Sequence, residues 1–264
     1  MNDLGLERHN VDTAACVALE PALKFAAVND LISGGIFTPS DESGNTHAFS
    51  KALAALCISM GVEFHYNNQI KRLIVKDGRF KGLETEENTF ESENCVVALG
   101  SYSPLVLKPL GINLPVYPIK GYSVTLPITN LKKAPHVSLI QDELKLVYSR
   151  LGNRLRIAGM AEIAGYSTNV DKERSLFILK SALALFPDCS TAEKAEFWSG
   201  LRPQTPDSVP VLGSTKIENL YLNTGHSTLG WTMACGSGRI LADLIVGKDL
   251  EIDLNGLEIN RFSL

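Results

Sequence analysis

Arg202 stands in the run Gly200-Leu201-Arg202-Pro203-Gln204-Thr205-Pro206-Asp207, just after the aromatic pair Phe197-Trp198. Proline restricts the residue before it to extended backbone, so Pro203 fixes the direction in which Arg202 leaves the chain. A guanidinium on a rigid strand end offers a planar fork of donors that fits a carboxylate in bidentate fashion. A buried structural ion pair is the competing reading. A second candidate lies in Tyr117-Pro118-Ile119-Lys120-Gly121-Tyr122, where proline and glycine steer a strand carrying two phenols and an amine. Tyr117 and Tyr122 could line a polar pocket, although ordinary strand composition explains the same letters.

The third candidate is Leu222-Asn223-Thr224-Gly225-His226-Ser227-Thr228-Leu229-Gly230-Trp231-Thr232, which runs on to Asp243. An apolar run ends at Asn223-Thr224-Gly225, and apolar residues then recur at helical spacing from Leu229 to Ile245 before Gly247. A strand, a tight turn and a helix starting near Gly230 leave unpaired amides facing out of the turn, where an anion or an electron-rich ring edge would sit. His226 supplies a titratable ring there. Gly236-Ser237-Gly238 resembles the start of a dinucleotide fingerprint but falls inside the predicted helix and lacks the third glycine. Gly225-His226-Ser227 resembles a nucleophile elbow, except that Leu229 replaces the required glycine. A packed turn with no ligand is the simplest alternative.

The elements that must hold these residues are legible in part. The spacing predicts a helix over 45–60 with Asn45 as N-cap and an apolar side of Phe49, Leu53, Leu56 and Cys57. Strands are predicted over 62–66, 70–75 and 79–84, the last two joined by Asp77-Gly78, a strong hairpin signal. Residues 94–99 are apolar without alternation and predict a strand buried on both faces, ending at Gly100-Ser101 before a short helix over 104–110. Beyond Pro115 come closely spaced strand candidates over 116–126, 136–141, 145–150 and 154–160, which imply an antiparallel sheet. A helix over 171–186 with Leu176, Leu179, Leu183 and Phe186 on one face follows. The fold class expected is α/β, mixed with α+β. Residues 112–195 read as a domain inserted into a first one formed by 24–111 and 196–264, with a ligand at the carboxyl ends of the latter's strands.

The 264 residues carry a net charge of -4, with no basic footprint for nucleic acid. No apolar run reaches membrane-spanning length, and Asp3, Glu7 and Asp12 stand where a signal peptide would be basic and then apolar. The five cysteines include no C-x-x-C pair, which reads as reduced thiols in a cytoplasmic protein. The five histidines show no paired ligand spacing, so no metal site is expected.

Five motifs, in residues 97–103, 115–123, 159–162, 200–207 and 224–236, closely resemble those of the bacterial D-amino-acid dehydrogenase small subunits, which are flavoproteins of the D-amino-acid oxidase family. The resemblance implies an incomplete FAD-binding Rossmann-like domain with an inserted antiparallel-sheet substrate domain. It implies oxidative deamination of D-amino acids to 2-oxo acids and ammonia by hydride transfer to FAD. Electrons would pass to an acceptor of the respiratory chain, with peripheral attachment to the inner membrane. Gly225, His226, Ser227, Thr228, Leu229, Gly230, Trp231 and Thr232 would border the flavin pyrimidine. Ala98, Gly100 and Ser101 would pass close to the dinucleotide, and Ile70 would touch its adenine side. Arg202 matches the arginine that holds the substrate carboxylate, with Tyr117, Tyr122 and His226 as further pocket residues and Lys120 as a group that could shift the pH profile. Some relatives place an arginine in the last loop, where this chain has Ser227 and Thr228. The family's opening strand and G-x-G-x-x-G turn are not in the sequence, which therefore looks like the carboxyl-terminal part of such an enzyme. Two alternatives stand beside this reading: a non-catalytic, flavin-free binding module, and a related FAD-dependent oxidoreductase of glycine, sarcosine or a 2-hydroxy acid.

Overall fold

The computed structural model describes residue 5 and residues 7–262, as a mixed α/β chain. Its first half contains β1 (His9–Asp12), α1 (Thr13–Leu19), α2 (Lys24–Val28), β2 (Gly34–Phe37), α3 (Thr46–Ser59), β3 (Ile70–Lys76), β4 (Arg79–Thr85), β5 (Thr89–Glu91), β6 (Cys95–Val97) and α4 (Ser103–Leu107). Then follow β7 (Tyr117–Pro127), β8 (Leu139–Gln141), β9 (Leu146–Leu151), β10 (Arg154–Ile163), α5 (Lys172–Leu185), β11 (Glu196–Gln204), β12 (Val211–Ser214), β13 (Leu220–Thr224) and α6 (Gly230–Ile245). Two compact units emerge: Met1–Leu53, Lys120–Glu162 and Ser167–Gly200 form one, and Ala54–Ile119, Ile163–Tyr166 and Leu201–Leu264 form the other.

The first unit is built on a five-stranded sheet in the order β11-β7-β10-β9-β8. Alternation along its strands turns Tyr122, Val124 and Leu126, Leu155 and Ile157, and Leu146 and Tyr148 to one face. That face packs against Ile178, Leu179, Ala182 and Leu185 of α5 and against Cys16, Leu23 and Ala26 from the α1–α2 region. Asp171 caps α5 by accepting from the Arg174 amide at 2.9 Å. The buried stripe of α5 is centred on Ser175, Ile178, Leu179, Ala182 and Leu185, so Leu176 and Leu183 of the expected face are only half-buried. His9–Asp12 pairs antiparallel with Gly34–Phe37, and Asp12 then caps α1 by accepting from the Ala15 amide.

The second unit has its own core of Leu73, Phe80, Val97, Leu107, Ile112, Leu114, Val116, Val211, Ile217, Leu220 and Leu222. A hairpin-based sheet β3-β4-β5 turns at Asp77 and Gly78, whose φ values of 53° and 75° suit a two-residue turn that needs two left-handed residues. A second sheet has the order β12-β13-β6, with β13 parallel to β6 and antiparallel to β12. Residues 62–66 form no strand: the Val62 amide bonds back to Cys57 O at 3.0 Å, and all five residues are exposed, with the His65 ring 4.7 Å from that of Phe90 in β5. β6 is buried on one side only, since Val97 is buried while Val96 and Leu99 are exposed. The α3 side carrying Phe49, Leu53 and Leu56 is likewise exposed. No described helix is long and apolar enough to cross a membrane.

Candidate functional site

The carboxyl ends of β6, β11 and β13 meet in the second unit. The Thr224 hydroxyl, at the end of β13, donates to Gly100 O at 3.2 Å and lies 3.0 Å from the Ser103 hydroxyl, which ties the turn after β6 to the turn after β13. The Ser227 amide donates to Pro203 O at 3.1 Å, and Gln204 forms an isolated antiparallel bridge with His226. A Cβ placed on Gly100 would come within 3.8 Å of the Pro203 ring. Arg202, immediately before that proline, is half-buried, and burial lowers its pKa from the ordinary arginine value. The structure thus gathers Arg202, Gly100, Ser101, Thr224 and residues 225–232 into one region.

Gly225 is the pivot of this region. Its φ of 76° is left-handed, and a Cβ there would meet Thr205 Cγ2 at 2.8 Å. Thr205 is buried and its hydroxyl donates to Val209 O at 2.9 Å, so the threonine is held from both ends of its side chain. After the turn, Leu229 caps α6 without any side-chain hydrogen bond to the first turn. The helix start therefore presents backbone amides and the positive end of its dipole.

His226 is fixed by the helix it precedes. Its Nε2 lies 3.0 Å from the Ser237 hydroxyl, and that hydroxyl donates to Met233 O at 2.8 Å. With the serine proton committed to Met233, the histidine Nε2 is the donor, which leaves Nδ1 as the acceptor of the neutral ring. Burial pushes the imidazole pKa below its ordinary value, so the neutral form dominates near neutral pH.

Two buried polar atoms in the region have no hydrogen-bond partner among the described residues: Ser101 Oγ, next to Gly100, and Asn223 Oδ1, in β13. A buried polar atom left unpaired is costly unless a ligand or water satisfies it. Nothing lies within 4 Å of a Cβ placed on Gly236 or Gly238, so the small-residue side of α6 is open. A hydroxyl and an amide oxygen lacking partners, a left-handed glycine turn and an uncapped helix start together suit a large, flat, anionic cofactor.

The remaining expected site residues divide between the units. Ile70 is half-buried at the start of β3 in the second unit, and Ala98 is exposed after β6. Tyr117 is exposed there too; its hydroxyl accepts the Gly165 amide at 3.3 Å, and with Pro115, Val116, Gln204, Thr205 and Pro206 it lines a shallow cleft. Tyr122 belongs to the other unit. It is buried in the sheet core, and its hydroxyl donates to Glu162 at 2.5 Å. Glu162 also faces Lys120 Nζ at 3.3 Å and Arg174 at 3.8 Å, and the Tyr122 hydroxyl first, then Lys120, holds its carboxyl below the ordinary range. Met160, with a left-handed φ of 64°, interrupts the alternation of β10 and lets Glu162 meet Tyr122.

Sequence reasoning missed Thr205 and the Arg261 clamp. The Arg261 guanidinium donates to both Asp207 carboxylate oxygens, at 2.9 and 3.3 Å, and to Val209 O at 2.7 Å. It fastens the end of the chain to the loop that follows Arg202. Positions fifty-four residues apart leave no local signal, whereas the threonine between Gln204 and Pro206 lay inside a stretch already singled out.

The chain is similar to known proteins over most of its length. Residues 1–244 match the family described as FAD dependent oxidoreductase. Over 98% of its length the chain is 52% identical to a D-amino acid dehydrogenase of Paramagnetospirillum magneticum and 48% identical to one of Allorhizobium ampelinum, and it spans 61% of the length of each. Among solved structures, glycine oxidase from Geobacillus kaustophilus superposes with a TM-score of 0.85 at 25% identity, covering 98% of this chain and 68% of that one. The described residues contain no group of three or more side chains suited to a metal. The chain belongs to the FAD dependent oxidoreductase family.

Proposed function

We propose that this chain carries the ring-facing and carboxylate-binding part of an FAD-dependent D-amino-acid dehydrogenase, which converts D-amino acids to 2-oxo acids and ammonia. The observation that carries the reading is the 52% identity, over nearly the whole chain, with a protein of that name. FAD, when bound, supplies the two-electron acceptor and the protein supplies orientation and electrostatics. Arg202 is the clamp for the substrate carboxylate. The uncapped start of α6 places positive potential against a cofactor edge in the stretch 225–232. Ser101 Oγ and Asn223 Oδ1 offer it a hydroxyl and an acceptor, with Ala98, Gly100 and Ile70 on the dinucleotide side. His226, neutral and locked by Ser237, shapes the turn rather than relaying a proton, and Tyr117 lines the adjoining cleft. A substrate amine arriving neutral needs no general base.

In this reading 24–111 and 196–264 form a partial FAD-binding, Rossmann-like domain and 112–195 the substrate domain. The reducing equivalents pass to a respiratory-chain acceptor, from a cytoplasmic protein resting on the inner membrane. A second reading is oxidation of glycine, which the likeness to glycine oxidase favours, or of sarcosine. The test is steady-state kinetics of FAD-loaded protein on D-amino acids against glycine, sarcosine and 2-hydroxy acids. Arg202→Ala is expected to raise KM for D-amino acids by on the order of 2–4 kcal/mol in binding, the cost of breaking a charged bidentate pair. An unchanged KM would move the carboxylate site elsewhere, and turnover of glycine alone would favour the second reading. A protein that never takes up FAD would be a flavin-free binding module.

A further inference from the structure

The Arg261 guanidinium, 13% exposed, puts all five of its N–H groups to use. Nε donates to Asp207 Oδ2 at 2.9 Å, and Nη2 donates to Asp207 Oδ1 at 3.3 Å and Val209 O at 2.7 Å. Nη1 donates to Leu257 O at 2.9 Å and Glu258 O at 3.2 Å. One rigid plane of donors therefore joins the 3-10 turn Ile259–Phe262 to the loop between β11 and β12. A lysine at this place could keep the charge but not the plane.

The loop it grips is one that needs holding. Ser208 has a left-handed φ of 64°, an unfavourable conformation for a residue with a Cβ. Asp207 Oδ1 also accepts the Val209 amide at 3.0 Å, so the carboxylate that Arg261 holds is the one that folds the loop over Ser208. Val209 O accepts from two sides, from Arg261 and, at 2.9 Å, from the buried Thr205 hydroxyl. The methyl of Thr205 is the atom that a Cβ on Gly225 would meet at 2.8 Å. Beside it Gln204 bridges to His226, and Pro203 O accepts the Ser227 amide at 3.1 Å. Contacts thus run unbroken from Arg261 through Val209 and Thr205 to the turn 225–227, along the strand end that carries Arg202. All of these residues belong to the second unit.

We propose that Arg261 is a positioning residue for the site: by fixing the loop 205–209 it sets both the Gly225 turn and the direction of the Arg202 strand end. Its effect on turnover rests on the D-amino-acid dehydrogenase reading; its effect on the turn does not. Amide hydrogen exchange of the flavin-free protein, followed by NMR, reads the turn at Ser227. The Phe80 amide, which donates to Glu218 O at 3.0 Å in the same unit, serves as the reference. Arg261→Met should lower the protection of Ser227 about tenfold relative to Phe80, the loss of a charged fork. Arg261→Lys should lose most of that protection as well. Thr205→Val keeps the methyl but not the hydroxyl, and combined with Arg261→Met it should lower protection no further than the larger single effect. In FAD-loaded protein, Arg261→Lys should raise KM for D-amino acids more than it lowers kcat. Ser227 protection that is unchanged, that falls equally at Phe80, or that falls in the double variant by the product of the single effects would each overturn the inference. So would an active parent whose KM Arg261→Lys leaves unaltered. Failure of the dehydrogenase reading would show instead as a parent that turns over no D-amino acid, with the exchange result intact.

Discussion

Replacing Gly225 by alanine should injure the second unit through two separable causes. The first is backbone strain: at a φ of 76° an L-residue costs about 1–2 kcal/mol relative to glycine. The second is overlap, because the new methyl would stand 2.8 Å from Thr205 Cγ2, with Val116 and Val211 at 3.5 and 3.7 Å in ordinary contact. Overpacking of a filled site costs about 1–3 kcal/mol. Together they predict a destabilisation of about 2–5 kcal/mol for Gly225→Ala. Thr205→Ser removes Cγ2 while keeping the hydroxyl that donates to Val209 O. The double variant Gly225→Ala/Thr205→Ser should therefore regain the overlap part and keep the strain part. Urea unfolding followed by tryptophan emission measures all four corners of this cycle, and the coupling should be favourable by about 1 kcal/mol or more. A Gly225→Ala protein as stable as the parent, or a double variant no better than the sum of the singles, would refute the reasoning.

Three further perturbations follow from the same contacts. Asp207 is held below its ordinary pKa of 3.8, first by the Arg261 hydrogen bonds; its contribution is present above that value and is lost as pH falls through the lower folded value. Because the carboxylate is 39% exposed, its coupling to Arg261 should be only about 0.2–1 kcal/mol in a double-mutant cycle and shrink in salt, and a salt-independent coupling would contradict a screened pair. Lowering the pH from 6.5, the ordinary histidine value, should destabilise the protein as the unfolded chain takes up a proton that buried His226 resists. That slope should vanish in His226→Gln, and a slope unchanged by the substitution would remove His226 as its source. Glu162→Gln should lower the urea midpoint by leaving Lys120, 4% exposed, without its counter-charge, and Lys120→Met should restore it; an unaltered midpoint in the single variant would show that the pair does not matter.

The β13–turn–α6 segment was readable because its signals are local: an apolar run, a glycine where φ must be positive, and helical spacing up to Gly247. The β3–β4 hairpin was readable for the same reason, through Asp77-Gly78. What failed were statements about partners. Residues 62–66 were read as a strand from their alternation and form none, and the apolar side of α3 is exposed, since periodicity tells which side is apolar and not what covers it. Tyr122 shared a motif with Tyr117, yet strand alternation carries the two to different surroundings: Tyr122 to Glu162 in a core, Tyr117 to Gly165 at an exposed edge. Arg202 was found because Pro203 marks it. Arg156 was passed over because Trp198, over whose ring its guanidinium stacks, comes from another strand that only the sheet order brings near.

The most direct test of the central claim is the visible spectrum of the protein mixed with FAD and freed of excess cofactor, recorded anaerobically before and after adding a D-amino acid. The account predicts oxidised-flavin bands that are retained by the protein, bleached by the D-amino acid and not by its L-enantiomer. In Arg202→Ala the bleaching should require far more substrate. A protein that stays colourless, or one whose bound flavin no D-amino acid can bleach, would contradict it.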